Sequence, residues 1–268
     1  MTGVVLTTLK GHSDSVTKLA LSPDGSLVAS GSDDNTTKLW HTRSGILLRT
    51  LVGHTGKILR LAFSPDGKLI ASESADTTIK IWNTTSGLLQ QTLGGSFKHL
   101  TMLVFLPDST SLLSGAYDVV KSRNAKSGAI LWGFEARRPG YFTRILLSPN
   151  SKLVAAQFIS GQLKLLDARS GELLRTIHDF DMYEEISFSS DSSALQAYGK
   201  PPFVISSKSA DAPPRLYVSV DDDWIFWGTE RILWLPPEYR TTHCLVHESI
   251  VAICLTQRVV FLEFAFKE

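Results

Sequence analysis

The sequence has little cysteine and no long apolar run. Its 268 residues include only two cysteines, Cys244 and Cys254, which is too few for a disulfide-built scaffold and favours a reducing compartment. No stretch of about 18 apolar residues occurs, and residues Met1 to His12 lack the apolar segment of a signal peptide. We therefore expect a cytoplasmic protein that does not insert directly into a membrane.

The sequence also lacks an excess of charge of either sign. Lys and Arg number 27 against 26 Asp and Glu, and the net charge is +1. A chain without a basic field does not collect nucleic acid by releasing counterions from phosphates. Hydrophobic residues make up 43% and charged residues 20%, as expected for a globular protein with a sizeable core. Nucleic acid is therefore not an expected partner.

Familiar catalytic and metal-binding motifs are absent as well. There is no Gly-x-Ser-x-Gly elbow, no His-Glu-x-x-His pair and no Gly-x-x-x-x-Gly-Lys-Ser/Thr phosphate loop. The run Asp221 to Asp223 lacks the alternating ligands and the glycine of a calcium loop. Four metal-capable residues match no common zinc spacing: His243, Cys244, His247 and Cys254. We expect no enzyme activity, no cofactor and no bound metal.

A repeat with a period of 42 residues organises the first two thirds of the chain. Gly11-His12 returns as Gly53-His54, and Leu39-Trp40 returns as Ile81-Trp82. A turn signal returns in five places: 22–25, 64–67, 106–109, 148–151 and 189–192. Its fullest form, Ser-Pro-Asp-Gly, predicts a type I turn, because proline presets φ and aspartate bonds back to the backbone. Between the turns, short runs of alternating apolar residues predict four strands per repeat.

This pattern resembles the WD-repeat family, in which four-stranded antiparallel sheets form the blades of a propeller. The resemblance implies an all-β fold with one domain over residues 1–268, regular over about 4–200 and atypical over about 201–268. Length divided by period gives about 6.4, so seven blades are favoured and six are possible. The strand Val4 to Leu9 precedes the first repeat and is expected to complete the last blade.

In that family a histidine, a serine, an aspartate and a tryptophan form a buried network in each blade. The resemblance assigns these structural roles to eight residues: His12, Ser30, Asp34, Trp40, His54, Ser72, Asp76 and Trp82. The third repeat keeps only Ser114 and Asp118, with Ser96 and Arg123 at the other two positions. At the same positions the fourth repeat has Arg138, Ala156, Ser160 and Leu166.

The resemblance also implies a partner-binding face, formed by the entrances to the first strands and by the tight turns that carry the network aspartates. Positions counted along the repeat give six partner-binding candidates: Lys57, His99, Tyr117, Arg138, Tyr141 and Met182. Tyrosine and methionine are favoured among them, because such side chains bring a large contact area at a small entropic cost.

The segment from Ile232 to Arg240 resembles the end of the WD-repeat regions of fungal NACHT-type signalling NTPases. We therefore keep two hypotheses for function. The first is a non-catalytic scaffold or adaptor for protein partners, monomeric or part of a larger complex. The alternative is the ligand-sensing regulatory propeller of a larger NACHT-type NTPase, present here without its NTPase domain.

Overall fold

Antiparallel strands make up the regular structure of the chain. In this computed structural model the described residues are 4–94, 101–136, 141–177, 186–197 and 203–205, with strand residues 216–219, 224–227, 230–234, 244–247, 250–255 and 258–263. They form strands and no helix, and so contain no apolar helix that could cross a membrane.

The first four repeats each form one four-stranded sheet with neighbouring strands paired in chain order. The first sheet contains β2 (Val16–Leu21), β3 (Leu27–Ser32), β4 (Thr37–His41) and β5 (Leu47–Leu51). The second contains β6 (Ile58–Phe63), β7 (Leu69–Ser74), β8 (Thr78–Asn83) and β9 (Leu89–Gly94). The third contains β10 (Met102–Phe105), β11 (Ser111–Gly115), β12 (Val119–Asn124) and β13 (Ile130–Glu135). The fourth contains β14 (Phe142–Leu147), β15 (Leu153–Phe158), β16 (Leu163–Asp167) and β17 (Leu173–Ile177). We call these sheets blades 1 to 4.

The remaining strands form three further sheets. One three-stranded sheet contains β18 (Ile186–Phe188), β19 (Ala194–Ala197) and β20 (Phe203–Val204). Another contains β21 (Leu216–Ser219), β22 (Trp224–Trp227) and β23 (Glu230–Trp234). The last contains β1 (Val4–Lys10), β24 (Cys244–His247), β25 (Ile250–Leu255) and β26 (Arg258–Glu263). The described strands thus form seven sheets, while the number of blades stays a prediction.

Strand β1 joins the two ends of the chain. It pairs antiparallel with β26, from Val4 opposite Glu263 to Lys10 opposite Arg258, with a register shift between Val5 and Thr8. The prediction that the N-terminal strand completes the last sheet is therefore confirmed. Pairing of this kind covers an edge of β26 whose backbone groups would otherwise be open to other chains.

Tight turns form at the positions where the turn signals predict them. In the first turn the Gly25 N–H donates to the Ser22 carbonyl at 2.9 Å, and Gly25 has a φ of 67°. Glycine accepts this left-handed backbone without a steric penalty. Serines stand at the same place in three later turns and have φ values of 56° to 62°: Ser109, Ser151 and Ser192. These non-glycine positions carry the strain that accompanies the decay of the repeat.

The strands belong to two compact units, Met1–Gly95 with Pro214–Glu268, and Ser96–Pro213. In the first unit an apolar core joins blades 1 and 2: Ala20, Ala29, Leu39, Leu51, Ile70 and Trp82. In the second unit a core joins blades 3 and 4 and includes Leu113, Val120, Phe142 and Val154. The third strand of each blade is largely buried and the fourth is largely exposed. The tight turn before the third strand of each blade is therefore attached to a largely buried strand.

Candidate functional site

A buried chain of hydrogen bonds crosses blade 1. His12 Nδ1 lies 2.8 Å from Asp34 Oδ2, and His12 Nε2 lies 2.7 Å from Ser30 Oγ. The Trp40 indole N–H donates to the same Ser30 oxygen at 2.8 Å. The loop before β2, the strand β3, the tight turn and the strand β4 are therefore tied together by one polar network.

Blade 2 repeats this network at the positions shifted by one period. His54 Nδ1 lies 2.7 Å from Asp76 Oδ2, and His54 Nε2 lies 2.8 Å from Ser72 Oγ. The Trp82 indole N–H donates to Ser72 Oγ at 2.8 Å. The eight residues that the repeat singles out thus form two equivalent sets of four.

Each network has a further member that the repeat comparison missed. The Thr36 hydroxyl donates to Asp34 Oδ1 at 2.6 Å, and Thr78 does the same to Asp76 at 2.7 Å. The backbone N–H of Ser13 also donates to Asp34, at 3.1 Å. The signal was available, since a threonine follows each network aspartate by two residues. The carboxylate is consequently held by several donors at once.

Burial and hydrogen bonding fix the protonation states of the network. Burial is the main cause of the lowered pKa of His12, so its imidazole is neutral at pH 7. Burial alone would favour a neutral Asp34, but the hydrogen bonds from Thr36 and His12 outweigh it and hold its pKa at about 2. A neutral imidazole donates from Nδ1 to the carboxylate and accepts the Ser30 hydroxyl proton at Nε2. Each side-chain polar atom that links His12, Ser30, Asp34 and Trp40 then has a hydrogen-bond partner.

Serine, histidine and aspartate in this order also occur in the triads of hydrolases. Here the serine is out of reach of any substrate, because Ser30 and Ser72 are both 0% exposed. Each of these serine oxygens also accepts a tryptophan N–H. The arrangement fixes strand geometry, as fully satisfied buried networks do.

Blade 3 has lost this arrangement among its described residues. Ser114 is buried, and its hydroxyl lies 3.5 Å from the Lys121 carbonyl, as that of Ser72 does from the Lys80 carbonyl in blade 2. Asp118, however, is exposed. Arg123, in place of tryptophan, is buried, and burial lowers its pKa. Ser96, at the histidine position, lies outside the described residues.

Blade 4 has Ala156, Ser160 and Leu166 at the network positions, and an aromatic cluster joins it to β13 of blade 3. The rings of Phe142 and Phe158 meet edge to face with centroids 4.7 Å apart, and the Phe134 ring lies 6.3 Å from that of Phe142. The Lys164 ammonium sits 4.9 Å from the Phe158 ring centre and 5.4 Å from that of Phe134. These phenylalanines do not recur at the period of the repeat, so the sequence analysis did not predict the cluster.

Two of the six partner-binding candidates form a pair on the tight-turn side of blades 3 and 4. The ring centroids of Tyr117 and Tyr141 are 5.9 Å apart, and the rings cross at 62°. Both stay open to solvent, at 43% and 45% exposure. A third candidate, Lys57, is exposed in blade 2. His99, Arg138 and Met182 lie outside the described residues.

A buried carboxyl in blade 2 was not foreseen. Glu73 is 0% exposed, and neither of its carboxyl oxygens has a hydrogen-bond partner among the residues that the structure describes. The Arg60 guanidinium lies 3.9 Å from this carboxyl group, and the positive charges of Arg60 and Lys18 only partly oppose the effect of burial. Burial raises the pKa of Glu73 to about 7. Glycines occupy the corresponding positions of blades 1 and 3, Gly31 and Gly115.

No metal-binding cluster is found in the part of the chain that the structure describes, where no three His, Cys, Asp or Glu side chains gather in that way. Of the four metal-capable residues near the C-terminus, Cys244 and His247 lie in β24 and Cys254 lies in β25. His243 and the run Asp221 to Asp223 lie outside the described residues.

Comparison with known proteins identifies the repeat. Residues 3–41 and 45–83 match the model of the WD40 family, described as "WD domain, G-beta repeat". A 37-residue segment is 60% identical to the vegetative incompatibility protein HET-E-1 of Podospora anserina, covering 14% of this chain and 3% of that protein. The chain therefore matches only a small part of that relative's length.

A solved structure with the same fold is the β-propeller domain of Cps50 (Swd1) from Myceliophteria thermophila. The two chains superpose with a TM-score of 0.75 over 98% of this chain and 100% of the other. Their sequence identity is 14%, so the likeness concerns the fold alone. It establishes the β-propeller architecture that the repeat predicts.

Proposed function

We propose that this chain, which carries WD40 repeats on a β-propeller fold, is a non-catalytic scaffold that binds protein partners through its tight-turn side. One contrast carries the proposal. The triad-like residues of blades 1 and 2 are sealed inside the sheets, whereas Tyr117 and Tyr141 are exposed on turns held by buried strands. Exposed aromatic side chains on a rigid support are typical of binding hot spots.

Rigid support reduces the entropic cost of binding. The backbone N–H of Phe142 donates to the Tyr117 carbonyl at 2.5 Å, and that of Ile159 donates to the Tyr141 carbonyl at 3.1 Å. The backbone of both tyrosines is thereby fixed before a partner binds, and less backbone ordering is required on association. We extend the proposal to a cytoplasmic protein acting as one domain, with proteins rather than nucleic acid as partners.

The proposal is tested by affinity capture from host lysate with mass-spectrometric identification. Wild type is compared with the double variant Tyr117→Ala, Tyr141→Ala. The matched control is Leu88→Ala, Leu131→Ala, which removes exposed apolar groups from the outer part of two blades. All three proteins must keep the same melting temperature. Specific partners lost by the tyrosine variant and kept by the leucine variant support the proposal. Partners retained by both variants, or no reproducible partner, contradict it.

A second function is favoured by a separate observation. The 37-residue segment shared with HET-E-1 at 60% identity, and the likeness of the segment Ile232 to Arg240 to fungal NACHT-type proteins, support a sensing propeller of a larger signalling NTPase. This alternative is tested by sequencing the transcript upstream of the codon for Met1 and searching it for a phosphate-loop motif. An in-frame phosphate-loop motif in the transcript supports this alternative, and a stop codon in that frame contradicts it.

A further inference from the structure

The turn that joins β2 to β3 and the turn that joins β6 to β7 enclose a cleft, which we call the turn cleft. Its volume is about 290 Å³. Successive turns of an antiparallel sheet alternate between its two ends, so the turn cleft lies at the end of blades 1 and 2 that is opposite to their tight turns. Clefts for drug-sized ligands measure about 300–1,000 Å³. The turn cleft therefore suits a single side chain better than a larger ligand.

Hydrogen bonds and close contact between the two turns fix the walls of the turn cleft. The Thr84 hydroxyl, just after β8, donates to the Gly67 carbonyl at 2.8 Å, and the Thr84 N–H donates to the Lys68 carbonyl at 3.0 Å. The Pro23 ring lies beside Gly67, since a Cβ at Gly67 would stand 3.9 Å from the Pro23 Cδ. A cleft that is formed in advance requires less ordering when a ligand enters.

The carboxylate of Asp24 is part of one wall and is held in a fixed orientation. It accepts the Ser22 hydroxyl at 2.6 Å, the Ser26 hydroxyl at 2.8 Å and the Ser26 N–H at 3.1 Å. Both serines line the turn cleft, as Asp24 itself does. The hydrogen bonds from Ser22 and Ser26 lower the pKa of Asp24 to about 2. The carboxylate is therefore ionised at neutral pH.

The negative charge of Asp24 is not neutralised by a neighbouring cation. The Lys68 ammonium lies 3.7 Å from the Asp66 carboxylate, and its side chain is 77% exposed, so this pair is loose and weak. The Arg49 guanidinium donates instead to the Thr85 carbonyl at 2.9 Å. Within the described part of the chain, no lysine, arginine or histidine forms an ion pair with Asp24. Asp24 is thus an oriented anion without a counter-charge.

We propose that the turn cleft receives a lysine or arginine side chain of a protein partner, with its charged end at Asp24 and its methylene stem between Pro23 and Pro65. Charge-assisted hydrogen bonds to a carboxylate are stronger than neutral ones, and long basic side chains cover apolar surface with their stems. The turn cleft would be a second binding surface of the scaffold, separate from the tight-turn side. The inference does not depend on Tyr117 or Tyr141.

The charges that line the turn cleft favour a basic occupant over an acidic one. The lining contains two carboxylates, Asp24 and Asp66, and one ammonium, Lys68, so its net charge is negative. An acidic side chain would have to bind at Lys68 and would be repelled by both carboxylates. Lys68 would assist an acidic occupant and compete with a basic one, which gives its substitution opposite effects in the two cases.

The probes are capped five-residue peptides with glycine and serine around one central residue, which is arginine, lysine, citrulline or glutamate. Citrulline has nearly the shape of arginine without its charge. Binding is followed by amide NMR of the full chain labelled with ¹⁵N and ²H. We expect saturable shifts of the Ser26 and Lys68 amides with the arginine and lysine peptides and none with the other two. The amides of Tyr117 and Tyr141 should not shift.

Asp24→Asn removes the charge and keeps the turn. Blade 4 shows that asparagine is compatible with this position, because Asn150 accepts the Ser148 hydroxyl at 2.7 Å and the Lys152 N–H at 3.0 Å. We expect Asp24→Asn to weaken binding of the arginine peptide at least about fivefold, since a hydrogen bond to a charged group is lost. An unchanged melting temperature excludes a general loss of structure.

Two further variants separate a local effect at Asp24 from a change in overall charge. Asp108→Asn removes the same charge from the corresponding turn of blade 3, which does not line the turn cleft, and should leave the affinity within about twofold. Lys68→Gln removes the competing ammonium and should strengthen binding of the arginine peptide about twofold. Higher salt should weaken that binding in the wild type more than in Asp24→Asn.

Equal shifts with citrulline, a response to the glutamate peptide alone, or no saturable shift with the basic peptides would overturn the inference. So would an Asp24→Asn variant that binds as tightly as Asp108→Asn, or a Lys68→Gln variant that binds more weakly than the wild type. These failures differ from a failure of the scaffold proposal, which depends on partners lost with Tyr117 and Tyr141 and whose variant leaves the turn cleft unchanged.

Discussion

At the scale of single residues, Trp40 and Trp132 differ in their burial and in their hydrogen bonding. Trp40 is 3% exposed and donates to Ser30 at 2.8 Å, whereas Trp132 is half-buried and its indole N–H has no acceptor among the described residues. We expect Trp40→Ala to lower the free energy of unfolding by about 3–5 kcal/mol, because it removes packing and unties the network. Trp132→Ala should cost roughly half as much. Urea denaturation of both variants measures the difference, and equal losses would contradict it.

Glu73 should make the stability of the protein depend on pH in an identifiable way. Its pKa rises on folding from an ordinary value of 4.5 to about 7, so its ionisation disfavours the folded state. The contribution of Glu73 to the free energy of unfolding is therefore highest below its ordinary pKa and is lost as the pH rises through about 7.

Glu73→Gln removes this titration. The difference in unfolding free energy between wild type and variant should shift against wild type by on the order of 3 kcal/mol between about pH 5 and about pH 8. His12 and His54 titrate in both proteins, so their effect cancels in the difference. Chemical denaturation across this pH range measures it. Parallel pH curves would mean that Glu73 is not a buried titrating carboxyl.

The residues that sequence reasoning located are those that recur at one period. His12, Ser30 and Trp40 have counterparts 42 residues later, and a counterpart at fixed spacing marks a shared role. Glu73 has glycine as its counterpart in blades 1 and 3, and the phenylalanines around Lys164 have none. Their environment comes from packing between strands distant in sequence, which no local pattern records.

At the scale of strands, order and pairing can be predicted where recurring turn signals separate the strands. Strands β2 to β17 are separated by the Ser-Pro-Asp-Gly turn signals or their remnants and by a Ser-Gly pair that also recurs, at 44–45, 86–87, 127–128 and 170–171. Their order and pairing can therefore be derived from the repeat. Strands β21 to β26 follow no such signals. The pairing of β1 with β26 was predicted only from the place of Val4 to Leu9 before the first repeat. Its register, with a shift between Val5 and Thr8, needed the structure.

Strand β1 should be needed for the stability of the sheet it completes. Deleting residues 1–10 removes the partner of β26 and leaves its edge open. We expect the melting temperature to fall by about 5–10 °C and the truncated protein to self-associate in size-exclusion chromatography. A synthetic peptide of residues 4–10 should restore part of the loss, whereas a scrambled peptide should not. An unchanged melting temperature would show that β1 is dispensable.

At the scale of the whole molecule, stability should be uneven, because the blades are held in different ways. Blades 1 and 2 combine apolar cores with complete hydrogen-bond networks. Blade 4 relies on the cluster around Phe142, and the sheet of β18 to β20 has three short strands. Local opening is easier where fewer buried interactions must break.

Amide hydrogen exchange should reveal this gradient directly. We expect the amides of β3 and β7 to exchange at least about tenfold more slowly than those of β19, a difference of about 1.4 kcal/mol in local opening. His12→Ala provides the control, because it breaks one network and leaves its equivalent intact. It should speed exchange in β2 to β5 and leave β6 to β9 nearly unchanged. Equally faster exchange in blades 1 and 2 would mean that the two blades open together as one cooperative unit. Each network would then stabilise both blades and not only its own.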